Sequence, residues 1–193
     1  MTEKNKKLQS IEENGQKLIW KFGLKRVTVE EICEVAKVSK MTFYKYFDNK
    51  EKLAIYLLKE IFDSAIAEYR EVFDSTISFE EKMKAVVEMK LKFARDISKE
   101  FLKDIYGNDF PGLQAFTRQV SADNMEMIQR DFSEAQWNGE IRKDIKIDFL
   151  MYFLNKSIEM ISDEKLVKMY SSISEMIREL TGFFFYGIIE REK

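Results

Sequence analysis

Four aromatic rings, Phe43, Tyr44, Tyr46 and Phe47, fall within five consecutive positions, with Lys40, Lys45, Lys50 and Lys52 among and around them. Rings beside ammonium groups suit a polyanion: a ring can lie against a sugar, a phenol can reach a phosphate oxygen, and an ammonium can release a counterion. Catalytic chemistry has less support. The chain holds no histidine, which excludes histidine-based triads and histidine metal sites. Its lone Cys33 stands beside Ile32 and Ala36 on an apolar helix face, the setting of a core residue rather than a nucleophile. Glycine-rich phosphate loops are missing. The carboxylates alternate with lysines as ordinary exposed helix pairs. No enzymatic activity, metal site or cofactor is expected.

Charge is spread unevenly. Residues 1–50 hold eleven Lys and Arg against seven Asp and Glu, and the remainder hold twenty-one against twenty-seven. A basic end that also carries the aromatic run suits nucleic acid, although so small an excess equally suits a solvated face. Residues 1–7 lead into no apolar core, so no signal peptide is expected. The longest nearly uncharged run, residues 180–189, is too short to span a bilayer. One unpaired cysteine fits a reducing, cytoplasmic compartment.

The elements that must position the aromatic run are helical. The chain has one proline, Pro111, and seven glycines, with abundant Lys, Glu, Leu, Ile and Met. Leu8, Ile11, Gly15, Leu18, Ile19 and Phe22 recur at helical steps, which predicts a helix over about 3–22, closed by Gly23. Gly15 in its middle marks close packing. Thr28 with Glu31 is a capping box that starts a second helix. Ser39 caps a third, and Asp48 or Asn49 caps a long fourth helix over about 50–73. Ser78 with Glu81 repeats the capping signal before a helix over 79–97. A short helix holds Phe101, Leu102 and Ile105. Residues 107–112 form a turn cluster, followed by a helix over 113–137. Residues 148–162 and 164–188 are expected as a final antiparallel pair.

Two short helices joined at Lys37-Val38-Ser39 have helix-turn-helix spacing. In that motif the second helix enters the major groove and its first residues meet base edges. Here those are Ser39, Lys40, Met41 and Thr42. Phosphates would meet Lys45, Lys50, the hydroxyls of Tyr44 and Tyr46, and the helix start at Thr28. Phe43 and Phe47 then belong to a small three-helix core, and the tyrosines face outward. A helical hairpin whose tyrosines cover a protein surface is the other reading of the same spacing.

The residues Gly23, Thr28, Ile32, Ala36, Val38-Ser39, Thr42-Phe43-Tyr44, Tyr46-Phe47 and Asn49-Lys50-Glu51-x-Leu53, in that register, resemble the DNA-binding domain of TetR-family transcriptional regulators. The resemblance covers about residues 8–55. One departure is Lys37, where such families often carry glycine; it must accept a turn conformation that glycine accepts freely, and it adds a candidate phosphate contact.

The resemblance implies an all-α protein with an N-terminal three-helix DNA-binding domain at 1–50 and a larger helical effector-binding and dimerisation domain at 51–193. It implies a homodimer on a double-stranded DNA operator, no membrane association, and repression relieved by a small apolar or lipophilic effector. A helical DNA-bound adaptor or architectural factor without an effector is the alternative. Candidate effector contacts are Met83, Val87, Phe93, Phe101, Tyr106, Phe110, Phe116, Met125 and Met160, because flexible methionines and rings suit varied apolar shapes. The acidic balance of this half would suit a lipophilic cation. Candidate dimer contacts are Leu150, Phe153, Leu154, Ile173, Met176, Ile177, Leu180 and Phe184.

Overall fold

The computed structural model describes residues 3–161 and 163–189, without side chains at positions 3, 4 and 158. Among the described residues the helices are α1 (Glu3–Phe22), α2 (Val29–Ala36), α3 (Lys40–Tyr44), α4 (Lys50–Phe73), α5 (Phe79–Ala94), α6 (Lys99–Tyr106), α7 (Pro111–Trp137), α8 (Ile147–Met160), α9 (Glu164–Val167) and α10 (Ile173–Ile188). The one extended pairing among them is an isolated antiparallel bridge between Ile141 and Ile189. The fold is all-α.

Local chemistry sets the boundaries. The α1 helix stops at Gly23, whose φ of 82° lies in the left-handed region. At the start of α2, the Thr28 side chain accepts from the Glu31 N–H at 3.2 Å and the Glu31 carboxylate accepts from the Thr28 N–H at 2.8 Å. Of the two candidates before α4, Asn49 is the cap; its Oδ1 accepts from the Lys52 N–H at 2.9 Å. With 24 residues, α4 is about 36 Å long. The Ser78–Glu81 box opens α5 as expected. Pro111 takes the first position of α7, where a missing N–H has no helical partner to lose.

The C-terminal pair needs correction. The single helix expected over 164–188 is broken into α9 and α10. Ser172 caps α10 by accepting from the Glu175 N–H at 3.1 Å, while the Glu175 carboxylate accepts from the N–H and hydroxyl of Ser171 at 2.9 and 2.7 Å. The helical spacing of Met169, Ile173 and Met176 runs across this stop and conceals it. Ser162, the expected end of the preceding helix, lies outside the described residues.

Two compact units result, one of Met1–Ser64 with Asp96–Arg118 and one of Ala65–Arg95 with Gln119–Lys193. The compact units are not divided at residue 50, where the sequence suggested a boundary. Each takes part of α4 and part of α7.

In the first unit Gly15 lets α1 and α4 approach: a Cβ built on it would lie 2.8 Å from Leu53 Cδ2. Trp20 packs on Phe101 with ring centroids 4.4 Å apart, and the Trp20 carbonyl accepts from the Ser98 N–H at 2.9 Å. Residues 96–118 thereby join the N-terminal helices.

The second unit has an aromatic core. Phe132 meets Phe79 and Phe184 at centroid distances of 5.8 and 6.3 Å, and Phe184 stacks on Phe153 at 5.8 Å. Its buried polar contact is the Tyr69 hydroxyl, which donates to Asp131 at 2.8 Å. Burial, and then the Asp131 carboxylate, hold the Tyr69 phenol protonated well above its ordinary range.

Gly23→Ala is expected to destabilise the protein by about 2 kcal/mol in urea unfolding, because alanine resists a positive φ and its Cβ would meet Asp104 Oδ2 at 2.9 Å.

Candidate nucleic-acid interface

The α2–turn–α3 segment is built from two short helices and their caps. Lys37 ends α2 in the left-handed region at φ 56°, ψ 43°, and its N–H bonds back to the carbonyls of Cys33 and Glu34. The non-glycine at this turn is therefore held in a conformation that L residues disfavour. Two residues on, the Ser39 side chain caps α3 by accepting from the Thr42 N–H at 3.1 Å, and the two hydroxyls lie 3.0 Å apart.

Burial divides the aromatic run into buried Phe43 and Phe47 and exposed Tyr44, while Tyr46, expected to face outward, is half-buried. Phe43 is fully buried and Phe47 nearly so, their centroids 5.9 Å apart. Tyr44 is 52% exposed and Met41 84%. Tyr44 is held edge-on by the Phe43 ring at 5.5 Å. Ser39, Lys40 and Lys45 are exposed, and Thr42 and Tyr46 half-buried. The backbone turns tightly after Tyr44, with Tyr46 N–H to Phe43 O at 2.9 Å and Phe47 N–H to the same carbonyl at 3.0 Å. That turn carries Phe47 back to the core.

Two of the expected lysine contacts are engaged with protein. The Lys40 ammonium is paired with Glu30 on α2. This pairing raises the Lys40 pKa and lowers that of Glu30. Both groups are exposed, so the pair can exchange for a phosphate at little loss. Lys50 is different and corrects the expectation of a phosphate contact. Its ammonium donates to Val27 O at 2.7 Å and Lys25 O at 3.2 Å, 5.9 Å from the centroid of the Phe110 ring. Burial pulls its pKa down. Lys50 therefore satisfies carbonyls of the α1–α2 loop from the first turn of α4.

Sequence reasoning missed two residues that support this arrangement. Asp104 on α6 is buried and accepts from the Lys25 N–H at 3.2 Å. Burial raises its carboxyl pKa, and the backbone N–H groups of Lys25 and Leu24 oppose that shift. Its signal was an acid at an apolar-face position, three residues from Phe101. Glu51, next to Lys50, accepts from the Leu113 N–H at 2.9 Å and so caps α7, whose preceding residue Phe110 has no side-chain acceptor. Its signal was the absence of a capping side chain before Pro111.

A family model described as "Bacterial regulatory proteins, tetR family" matches residues 13–57, which hold α2, the turn and α3. This N-terminal segment is thus similar to that of tetR-family regulators. Over 137 residues it is 25% identical to the HTH-type transcriptional repressor KstR2 of Rhodococcus jostii (strain RHA1), a match spanning 68% of this chain and 66%, just under two thirds, of that protein. The fatty acid degradation regulator FadR from Bacillus halodurans superposes with a TM-score of 0.71 at 18% identity, covering 96% of this chain and 97% of that one. The regulator FadR from Bacillus subtilis, solved in complex with stearoyl-CoA, superposes with a TM-score of 0.72 at 17% identity, covering 94% and 99%. At these identities the likeness of the two structures is one of fold.

The effector candidates are not gathered in one unit. Phe101, Tyr106, Phe110 and Phe116 belong to the first unit, and Met83, Val87, Phe93, Met125 and Met160 to the second. Phe101 is fully buried against Trp20, so it has no surface to offer a ligand. Phe110 lies under Lys50, and Phe116 packs on Phe62 at 6.1 Å. Met83 is buried in the second core, with Val87 packed against that core. Phe93, Met125 and Tyr106 are half-buried, and Met160 is exposed.

The dimer candidates also shift. Leu150, Ile173, Met176 and Phe184 are buried within the chain itself, and Phe153, Leu154, Ile177 and Leu180 are half-buried. The first four are core residues because the aromatic cluster draws the apolar faces of α8 and α10 inward. On the same helices Phe149, Tyr152, Phe183 and Tyr186 are exposed.

Lys50→Met is expected to lower stability by about 1–2 kcal/mol, the loss of charge-assisted hydrogen bonds to the Val27 and Lys25 carbonyls, measured by urea unfolding. Lys37→Gly is expected to raise it by about 1 kcal/mol through relief of the left-handed turn.

Proposed function

We propose that the chain is a ligand-responsive transcriptional repressor that binds a palindromic operator as a homodimer. One observation carries this reading. The α2–turn–α3 segment presents Met41, Tyr44 and Lys45 to solvent while Phe43 and Phe47 anchor it from beneath. A half of this kind reads only a few base pairs, and a twofold partner places the second half one helical turn away, about 34–36 Å.

The dimer contact we assign to the exposed rings Phe149, Tyr152, Phe183 and Tyr186 of α8 and α10. Four large rings left in water on neighbouring helices are the kind of apolar surface that a second copy covers. The helices are neighbours through the stacked pair Phe153–Phe184. The effector reading rests on the second unit, whose Met- and Phe-rich core suits an apolar molecule, and on the stearoyl-CoA held by the similarly folded FadR of Bacillus subtilis. A ligand that favours one arrangement of the shared helices α4 and α7 shifts the population away from the DNA-binding form; about 1.4 kcal/mol of differential affinity lowers operator binding tenfold.

Fluorescence anisotropy with the DNA upstream of the gene tests this function. Tyr44→Ala and Lys45→Ala are expected to weaken binding to all duplexes, and Lys45→Ala to reduce the salt slope by about one unit. Thr42→Ala and Met41→Ala should change base preference more than bulk affinity. Operator binding unchanged in all four variants would remove α3 from the interface. Phe183→Glu should produce a monomer by sedimentation and lose operator affinity; a dimer that persists in this variant places the twofold contact elsewhere.

A further inference from the structure

Two neighbouring carboxylates stand in the first turn of α2, and they have different partners. The Glu31 carboxylate accepts from the Thr28 N–H and hydroxyl at 2.8 and 3.2 Å and completes the capping box. Glu30 reaches across to α3 instead, where its carboxylate meets the Lys40 ammonium. Lys40 is the first residue of α3, directly after the Ser39 cap.

The other polar groups at the head of α3 are turned on themselves. The Ser39 hydroxyl accepts from the Thr42 N–H and lies within hydrogen-bond distance of the Thr42 hydroxyl, so each oxygen has spent part of its capacity. Met41 is exposed but apolar. The Glu30–Lys40 pair is left as a charged acceptor beside a charged donor, with side chains 59% and 56% exposed. A carboxylate on a surface that meets phosphates is unfavourable by charge unless a group of the DNA donates to it. In the major groove such donors are the amino groups at cytosine N4 and adenine N6.

We propose that Glu30 and Lys40 read one G·C base pair of each half-site as a joined unit, Lys40 donating to guanine O6 and N7 and Glu30 accepting from cytosine N4. The proposal rests on the DNA-binding reading above and names a base pair for it. The O6 and N4 atoms of a G·C pair are themselves hydrogen-bonded, about 2.9 Å apart, which is the spacing of a side-chain donor and acceptor in contact with each other. The ion pair thus fits that edge without being broken, and neither charge enters the groove unpaired. An A·T pair fits less well. Its N6 amino group separates N7 from O4, so one ammonium does not find two adjacent acceptors, and the thymine methyl crowds O4. Glu30 therefore acts on specificity: it repels phosphates at every sequence and is compensated at one base pair.

The test is selection of binding sites from a random-sequence duplex library by the full-length protein, followed by anisotropy titration of the selected duplex and of the same duplex with A·T placed at single positions. The parent should enrich a G·C pair at the same place in both half-sites and discriminate against A·T there. Glu30→Ala should lower that discrimination at least about fivefold, at this position alone, and should bind duplexes of unrelated sequence more tightly than the parent. Glu30→Gln, which keeps an acceptor oxygen, should retain more of the preference than alanine does, and Lys40→Met should lose it. Circular dichroism should match the parent in all three variants. No enriched G·C pair, discrimination unchanged in Glu30→Ala, or a loss equal for all duplexes would overturn the proposal. So would a Lys40→Met variant that keeps the base preference and lowers the salt slope by about one unit, which places Lys40 on a phosphate. In each of these cases a parent that still binds a palindromic site leaves the repressor reading standing. A parent that binds no duplex ends both.

Discussion

A helix of five residues has no stability of its own, since nucleating a helical turn fixes several dihedrals for each bond gained. The position of α3 therefore depends on the burial of Phe43 and Phe47. Each ring contributes roughly 2–3 kcal/mol when fully removed from water, and together they turn a marginal helix into a fixed one. Everything presented outward from that helix, Met41, Tyr44 and Lys45, inherits its place from this contact. The caps at Thr28 and Ser39 set where α2 and α3 begin, and the strained turn at Lys37 sets the angle between them. None of these would hold α3 without the rings beneath it.

A second layer of polar contacts holds the loop that joins α1 to α2. Asp104 accepts from its backbone on one side, and Lys50 donates to its carbonyls on the other. Both charges are partly desolvated, so each is favourable only while its hydrogen bonds are made. Glu51, adjacent to Lys50, caps the start of α7. Two consecutive residues of α4 thus fasten one helix start and one loop within a single unit. This explains a basic residue beside an acidic one at the head of a helix better than a phosphate contact does.

The second unit follows another rule. Its core is a chain of rings, with polar contacts such as Tyr69–Asp131 and the Gln136 amide on the carbonyls of Arg142 and Ile145 beside it. In such a setting a charged side chain on an inner helix face is unfavourable by itself.

Much of this was legible in the chain itself. Capping side chains and apolar periodicity act over a few residues, so they fixed the starts of α2, α3 and α5 and the extent of α1 and α4. The division of the aromatic run into buried phenylalanines and an outward Tyr44 also followed from spacing. The same locality explains the errors. The serine cap before Ile173 was masked because periodicity continued across it, and Lys50 was assigned to DNA because a lysine beside a helix start carries no mark of which acceptor it will meet. Its carbonyl partners lie more than twenty residues away, and Asp104 lies further still. Which apolar faces of α8 and α10 turn inward was likewise a matter of which helices meet. Short-range hydrogen bonding and side-chain periodicity wrote the helices and the α2–turn–α3 segment into the sequence; partner choice over long separations, and with it the burial of charge, was decided only when the helices packed.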